Sequence, residues 1–176
     1  KEATGEVLAQ SKIASLKNGV ALNEKEILKD IGKVSAATTL SLGKNPGQIA
    51  AAVATAKSLG MEMSKVEAIA GSLLEFESSI ESELEAELLL GKDINLEKAR
   101  TFALNNNMAG VAEEIAKQAG SAADFGKMNR IEQEALAKAV GMGREELAET
   151  LFIQDQLKGA TGEQAASREK ALQKRI

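Results

Sequence analysis

Six glutamates, Glu75, Glu77, Glu81, Glu83, Glu85 and Glu87, fall within thirteen residues with no Lys or Arg among them. Carboxylates at such spacing are the raw material of glycosidic bond cleavage, which needs two of them about 5–9.5 Å apart across a sugar. On an exposed helix many Glu pairs meet that distance by accident, and the chain has no Trp or Tyr to wall a sugar subsite. Neighbours such as Ser11-Lys12 and Ser64-Lys65 are adjacent rather than one turn apart, so they do not suit serine–lysine chemistry. Gly43-Lys44-Asn45-Pro46-Gly47 is glycine-rich and precedes a helix start, but it lacks the G-x-x-x-x-G-K-[ST] spacing and no strand leads into it. The Asp93, Asn95, Glu97 alternation lacks the central Gly and terminal Glu of a twelve-residue calcium loop. With no His and no Cys, the usual acid–base group, thiolate nucleophile and zinc ligands are missing. The sequence therefore predicts no catalytic residue, no cofactor-binding residue, no metal ligand and no enzyme activity.

The elements that carry these residues are helical. Hydrophobic residues make up 44% of the 176, but the only aromatics are four phenylalanines, and a single proline permits long helices. The core must be built from Ala, Leu, Ile, Val and Met, which suits thin helix-on-helix packing. Residues 71–155 carry 8 basic and 17 acidic side chains, so this middle opposes DNA phosphates. Only Arg168 to Arg175 looks basic, and no apolar run of about 18 residues is present to span a membrane.

Punctuation divides the chain. Asn23 with Glu26 reads as a cap for a helix ending at Gly43; Asn45-Pro46 starts an alanine-rich helix ending at Gly60. Ser64 with Glu67 reads as a capping box opening one long acidic helix, about 64–90, stopped by Gly91. Its apolar stripe runs Ile69, Leu73, Phe76, Ile80, Leu84 and Leu88, a candidate helix-packing face. The glutamates repel one another at helical spacing and oppose the helix dipole near the C-terminal end. Such a helix needs cations from a neighbour, and Lys92, Lys98 and Arg100 are the nearest. Shorter helices follow: Asn95 to Leu104, Met108 to Gln118, one capped by Ser121 with Asp124, Arg130 to Val140, Arg144 to about Lys158, and a last from Glu163. An internal echo pairs Ala56-Lys57-Ser58-Leu59-Gly60-Met61 with Ala137-Lys138-Ala139-Val140-Gly141-Met142. Both read as helix–glycine–helix corners, Gly60 and Gly141 taking the left-handed conformation with Met61 and Met142 packed beneath. A helix-turn-helix is the competing reading, but no basic recognition helix follows either corner.

The expected fold is all-α: eight or nine helices in glycine-cornered hairpins around one long acidic helix, extended rather than one compact bundle. The expected segments are 1–43, 44–91, 92–158 and 159–176, the last truncated.

The run SLLEFESSIESELEAELLLGKDINLEKAR (Ser72–Arg100) and the run FGKMNRIEQEALAKAVGM (Phe125–Met142) resemble phage tail tape measure proteins, a likeness spanning residues 27–155. The resemblance implies a structural virion protein, of which this chain, opening on Lys1, is a fragment. Such proteins set tail tube length during assembly and occupy the tail lumen or tip until DNA ejection. It implies localisation in the virion tail, with host cytoplasm as the place of assembly. The implied partners are tube, baseplate or tail-tip proteins and further copies of itself. Specific nucleic-acid binding is not expected, and membrane contact is expected only through regions outside this fragment. Two alternatives stay open: a helical adaptor of a cellular protein that binds a partner helix along the stripe, and an accessory domain of an enzyme.

Overall fold

The computed structural model describes residues 24–43 and 45–157, and they are all-α, with no strand among them. They divide into two compact units, one holding the residues up to 64 and those from 153, the other holding Lys65–Phe152. Gly43 and Gly91, read above as segment boundaries, each lie inside a unit. The Asn23 cap, the helix from Glu163 and the basic run Arg168–Arg175 lie outside the described residues.

In the first unit, α1 (Glu24–Ile31) packs on α3 (Pro46–Ser58), with α2 (Ala36–Ser41) between them in sequence. The single helix expected to end at Gly43 is two helices. The chain turns after Ile31, through Lys33 and Val34 amides donating to Asp30 and Ile31 carbonyls. Ser35 then restarts it, its hydroxyl accepting from the Thr38 amide. Asn45 caps α3 as expected, its side chain accepting from the Gly47 and Gln48 amides, with Pro46 at the first helical position. α3 is buried on nearly every side, Ile49, Ala50, Val53, Ala54 and Ala56 included, as a helix apolar all round must be. Lys57 on α3 reaches Asp30 on α1 at 2.9 Å, and both are buried.

The second unit holds α4 (Met63–Leu73) from Lys65 on, α5 (Phe76–Leu90), α6 (Glu97–Leu104), α7 (Met108–Ala119), α8 (Ala122–Lys127), α9 (Arg130–Ala139) and α10 (Arg144–Leu157) as far as Phe152. Here α5 packs on α9 and α6 on α7, and Val66, Ile69, Leu73, Leu96, Val111, Ile115, Leu136 and Leu147 form the core. The expected continuous helix over 64–90 is corrected: it breaks at Leu74 and Glu75, where Glu75 has ψ 75° and begins a new helix without a side-chain cap. The break has a physical reason. In a straight helix Phe76 and Ile80 would share a face with Ile69 and Leu73. The bend instead turns Ser79, Ser82, Glu83 and Ala86 inward, where small side chains allow α9 close approach and Glu83 can meet Arg100. The breaks after Ile31 and at Leu74 bring the helices to ten among the described residues.

Both echoed corners form alike. The Met61 and Met142 amides donate to the carbonyls of Ala56 and Ala137, and the Gly60 and Gly141 amides to those of Lys57 and Lys138. Each glycine has φ 79°, and each methionine is buried. This is the Schellman arrangement, which needs the left-handed conformation at the glycine. The polar break at Asn105 to Asn107 repeats it with asparagine: Asn106 has φ 61° and the Asn107 amide donates to the Phe102 carbonyl. Asn107 also caps α7 through the Gly110 amide.

Candidate functional site

The stripe expected from Ile69 to Leu88 splits at the break. Ile69 and Leu73 are buried in the core, whereas Phe76, Ile80, Leu84 and Leu88 are 49%, 43%, 54% and 85% exposed. α5 is thus turned inside out relative to an ordinary surface helix. Its large apolar residues face solvent while Ser79, Ser82 and Glu83 are buried. A row of large exposed side chains on one face marks an interaction surface far better than scattered single ones do.

The inward face explains the inversion. Glu83 accepts the Leu96 amide through Oε1, and its Oε2 lies 3.5 Å from Arg100 Nη2. The guanidinium Nε donates to Ser79 Oγ at 3.1 Å. Leu96 is the residue before the first turn of α6, which lacks a cap of its own there, so α5 supplies the acceptor. Asn95, the expected cap, takes the next amide, from Glu97. Of the three cations expected to offset the acidic helix, Arg100 is the one that reaches inward; Lys92 and Lys98 are exposed.

An open groove of about 710 Å³ runs between α5 and α6. Its apolar walls are Phe76 and Ile80 from α5 and Leu104 from α6, with Ile94 below and the Glu83–Arg100 pair in the floor. A second hollow, lined by Leu84, Leu88, Gly91 and Lys92, shares Glu87 and Asp93 with the first, so the two make one trough along the exposed stripe. Glu87 from α5, Asp93 from the connection and Glu97 from α6 also line it. Leu104, 64% exposed, was not singled out in the sequence; its place just before the asparagine break is the only signal it offered.

No family model, no curated protein and no solved structure matches this chain.

The corner residues Gly60, Met61, Gly141 and Met142 serve the fold rather than a site: a side chain at Gly141 would stand 3.4 Å from Ile69 Cγ2 and 3.6 Å from Ser72 Cβ. Gln133 is likewise architectural. Its amide donates to the Phe125 carbonyl at 2.9 Å and accepts from Arg144 Nε at 2.8 Å, tying α8, α9 and α10 together. Among the described residues no three acidic side chains cluster where they could hold a metal ion, and no helix is long and apolar enough to cross a membrane.

Proposed function

We propose that this chain is a structural protein whose work is helix packing, with the outward face of α5 as its contact surface, and that its setting is a bacteriophage tail. The observation that carries the packing role is the exposed row Phe76, Ile80, Leu84 and Leu88 over a buried polar face. Covering what remains exposed of these side chains contributes on the order of 1 kcal/mol each. Before the cost of association is subtracted, that sum corresponds to about a millimolar contact at best. Such a surface is too weak to hold a lone partner firmly and suits an assembly in which many contacts act together. The resemblance of Ser72–Arg100 and Phe125–Met142 to tail tape measure proteins supplies the setting. In this reading the chain is a segment that helps set tube length, contacts tube, baseplate or tip proteins and further copies of itself, and stays in the tail until DNA ejection. It acts without catalysis.

The test is an in-frame deletion of Phe76–Leu104 in the phage that encodes the chain. Altered tail length or loss of virions is expected; normal tails at normal yield would refute the proposal. A helical adaptor of a cellular protein is the second reading, favoured by the trough's size, which fits one partner helix. The flanking reading frame separates the two. A tape measure requires a far longer, largely helical frame beside other virion genes, and an adaptor does not.

A further inference from the structure

We infer that the trough along α5 accepts a cationic amphipathic helix from another chain, its apolar stripe lying on Ile80 and Leu84 and its Lys or Arg residues meeting glutamates on either side. This rests on the reading of α5 as a docking face and adds the chemistry of the occupant. The exposed row from Phe76 to Leu88 spans thirteen residues, twelve steps or about 18 Å at the α-helical rise, so a partner helix of three to four turns covers it. Glu77 and Glu81 are exposed on α5 beyond the row, and Glu87 from α5, Asp93 from the connection and Glu97 from α6 line the trough. Among the described residues that line the trough, the cations are Arg100 in the floor, already paired with Glu83, and Lys92; Lys98 and Lys117 line a separate hollow beyond Glu97 and Thr101.

That charge pattern chooses among occupants. A second copy using the same face would set glutamates against glutamates, as isologous contacts repeat the same patch on both sides. An anionic membrane surface and a nucleic acid are repelled by the same carboxylates. A helix with apolar residues at steps of three and four and basic residues on both flanks satisfies all of it, in the way charged flanks choose partners in coiled coils.

The experiment titrates the isotope-labelled full chain by NMR with two lactam-stapled helical peptides of about 14 residues, long enough for the row. They share one leucine stripe; one is flanked by lysines, the other by glutamates. The inference expects the lysine peptide to shift amides of α5 and of residues 91–97, with at least tenfold higher affinity than the glutamate peptide and weaker binding as salt rises. Ile80→Asn with Leu84→Asn should lower that affinity at least tenfold, while Ile131→Asn, at another exposed apolar residue, should leave it unchanged. Unaltered circular dichroism and melting of these variants is expected, because the replaced side chains are exposed. Equal binding of both peptides on α5 overturns the cationic partner and leaves the docking face standing. No shift on α5 with either peptide overturns both. A chain that sediments as a dimer, and becomes a monomer on Ile80→Asn with Leu84→Asn, assigns the face to a second copy and overturns the inference.

Discussion

Replacing Arg100 with Met should destabilise the second unit by about 3 kcal/mol, the low end of the range for breaking a buried ion pair from one side. The estimate follows from the geometry. Arg100 Nη2 and Glu83 Oε2 are 3.5 Å apart, and the two side chains are only 10% and 12% exposed. At an effective dielectric of 20 the gross attraction is on the order of 5 kcal/mol, offset by the desolvation of both ions. Loss of the cation leaves the Glu83 carboxylate buried, with the Leu96 amide donating to it. The partner nitrogen is 3.5 Å away and makes no hydrogen bond of its own, which is why the low end of the range applies. Glu83→Met should be somewhat worse, since it strands the guanidinium and unpairs the Leu96 amide. The decisive variant is Glu83→Met with Arg100→Met. It strands no charge, so it should cost about 1–2 kcal/mol, mostly the unpaired amide, and be more stable than either single variant. Urea unfolding of the full chain measures the stabilities, and hydrogen exchange at the Leu96 amide reports the local bond. Additive single effects, or an Arg100→Met variant as stable as the parent, would refute the view that this pair orients α5.

Two glycines should respond with opposite signs. Gly141→Ala forces a side chain into φ 79° and against Ile69, costing about 2 kcal/mol, whereas Gly71→Ala, in α4 with nothing near its missing Cβ, should stabilise by up to about 1 kcal/mol; thermal melts decide both. In Gly110→Ala the new Cβ meets the Phe102 ring at 2.6–2.8 Å where α6 packs on α7, so a loss of about 1–2 kcal/mol is expected, with recovery when Phe102→Leu is added. Lys57→Met should lose about 3 kcal/mol by stranding buried Asp30, and Asp30→Leu in the same chain should restore most of it, as read by urea midpoint. Asn129→Ala removes the side-chain acceptor of the Glu132 amide in the Asn129–Glu132 capping box, leaving the Asn129 amide free to donate to Glu132, and should cost about 1 kcal/mol in a thermal melt.

Local punctuation was readable from the residues because its physics is local. Asn45-Pro46, Ser121 with Asp124, and the Gly60 and Gly141 corners all act within four or five residues, and each formed as read. The α5 face was only half readable. Steps of three and four identified Ile69, Leu73, Phe76, Ile80, Leu84 and Leu88 as neighbours along a helix, but periodicity cannot tell which face turns inward. That choice was made by a tertiary interaction, Glu83 with Arg100 and Ser79, between residues 17 and 21 positions apart. The same interaction explains the missed break at Leu74 and Glu75, where no glycine or proline stands to announce it. Lys57 with Asp30 was missed for the same reason: a lysine in an alanine-rich helix reads as solvated until its partner helix is placed.

The central claim is that the outward face of α5 is a contact surface in an assembled tail. A photo-reactive amino acid placed at Leu84 of the chain, in the phage that encodes it, tests this directly, with the same group at Ile131 as reference. Irradiated purified virions should yield an adduct between position 84 and a tube, baseplate or tail-tip protein, or another region of the same protein, and none of comparable yield from position 131. Equal yields from both positions, or virions that lack the chain altogether, would contradict the account.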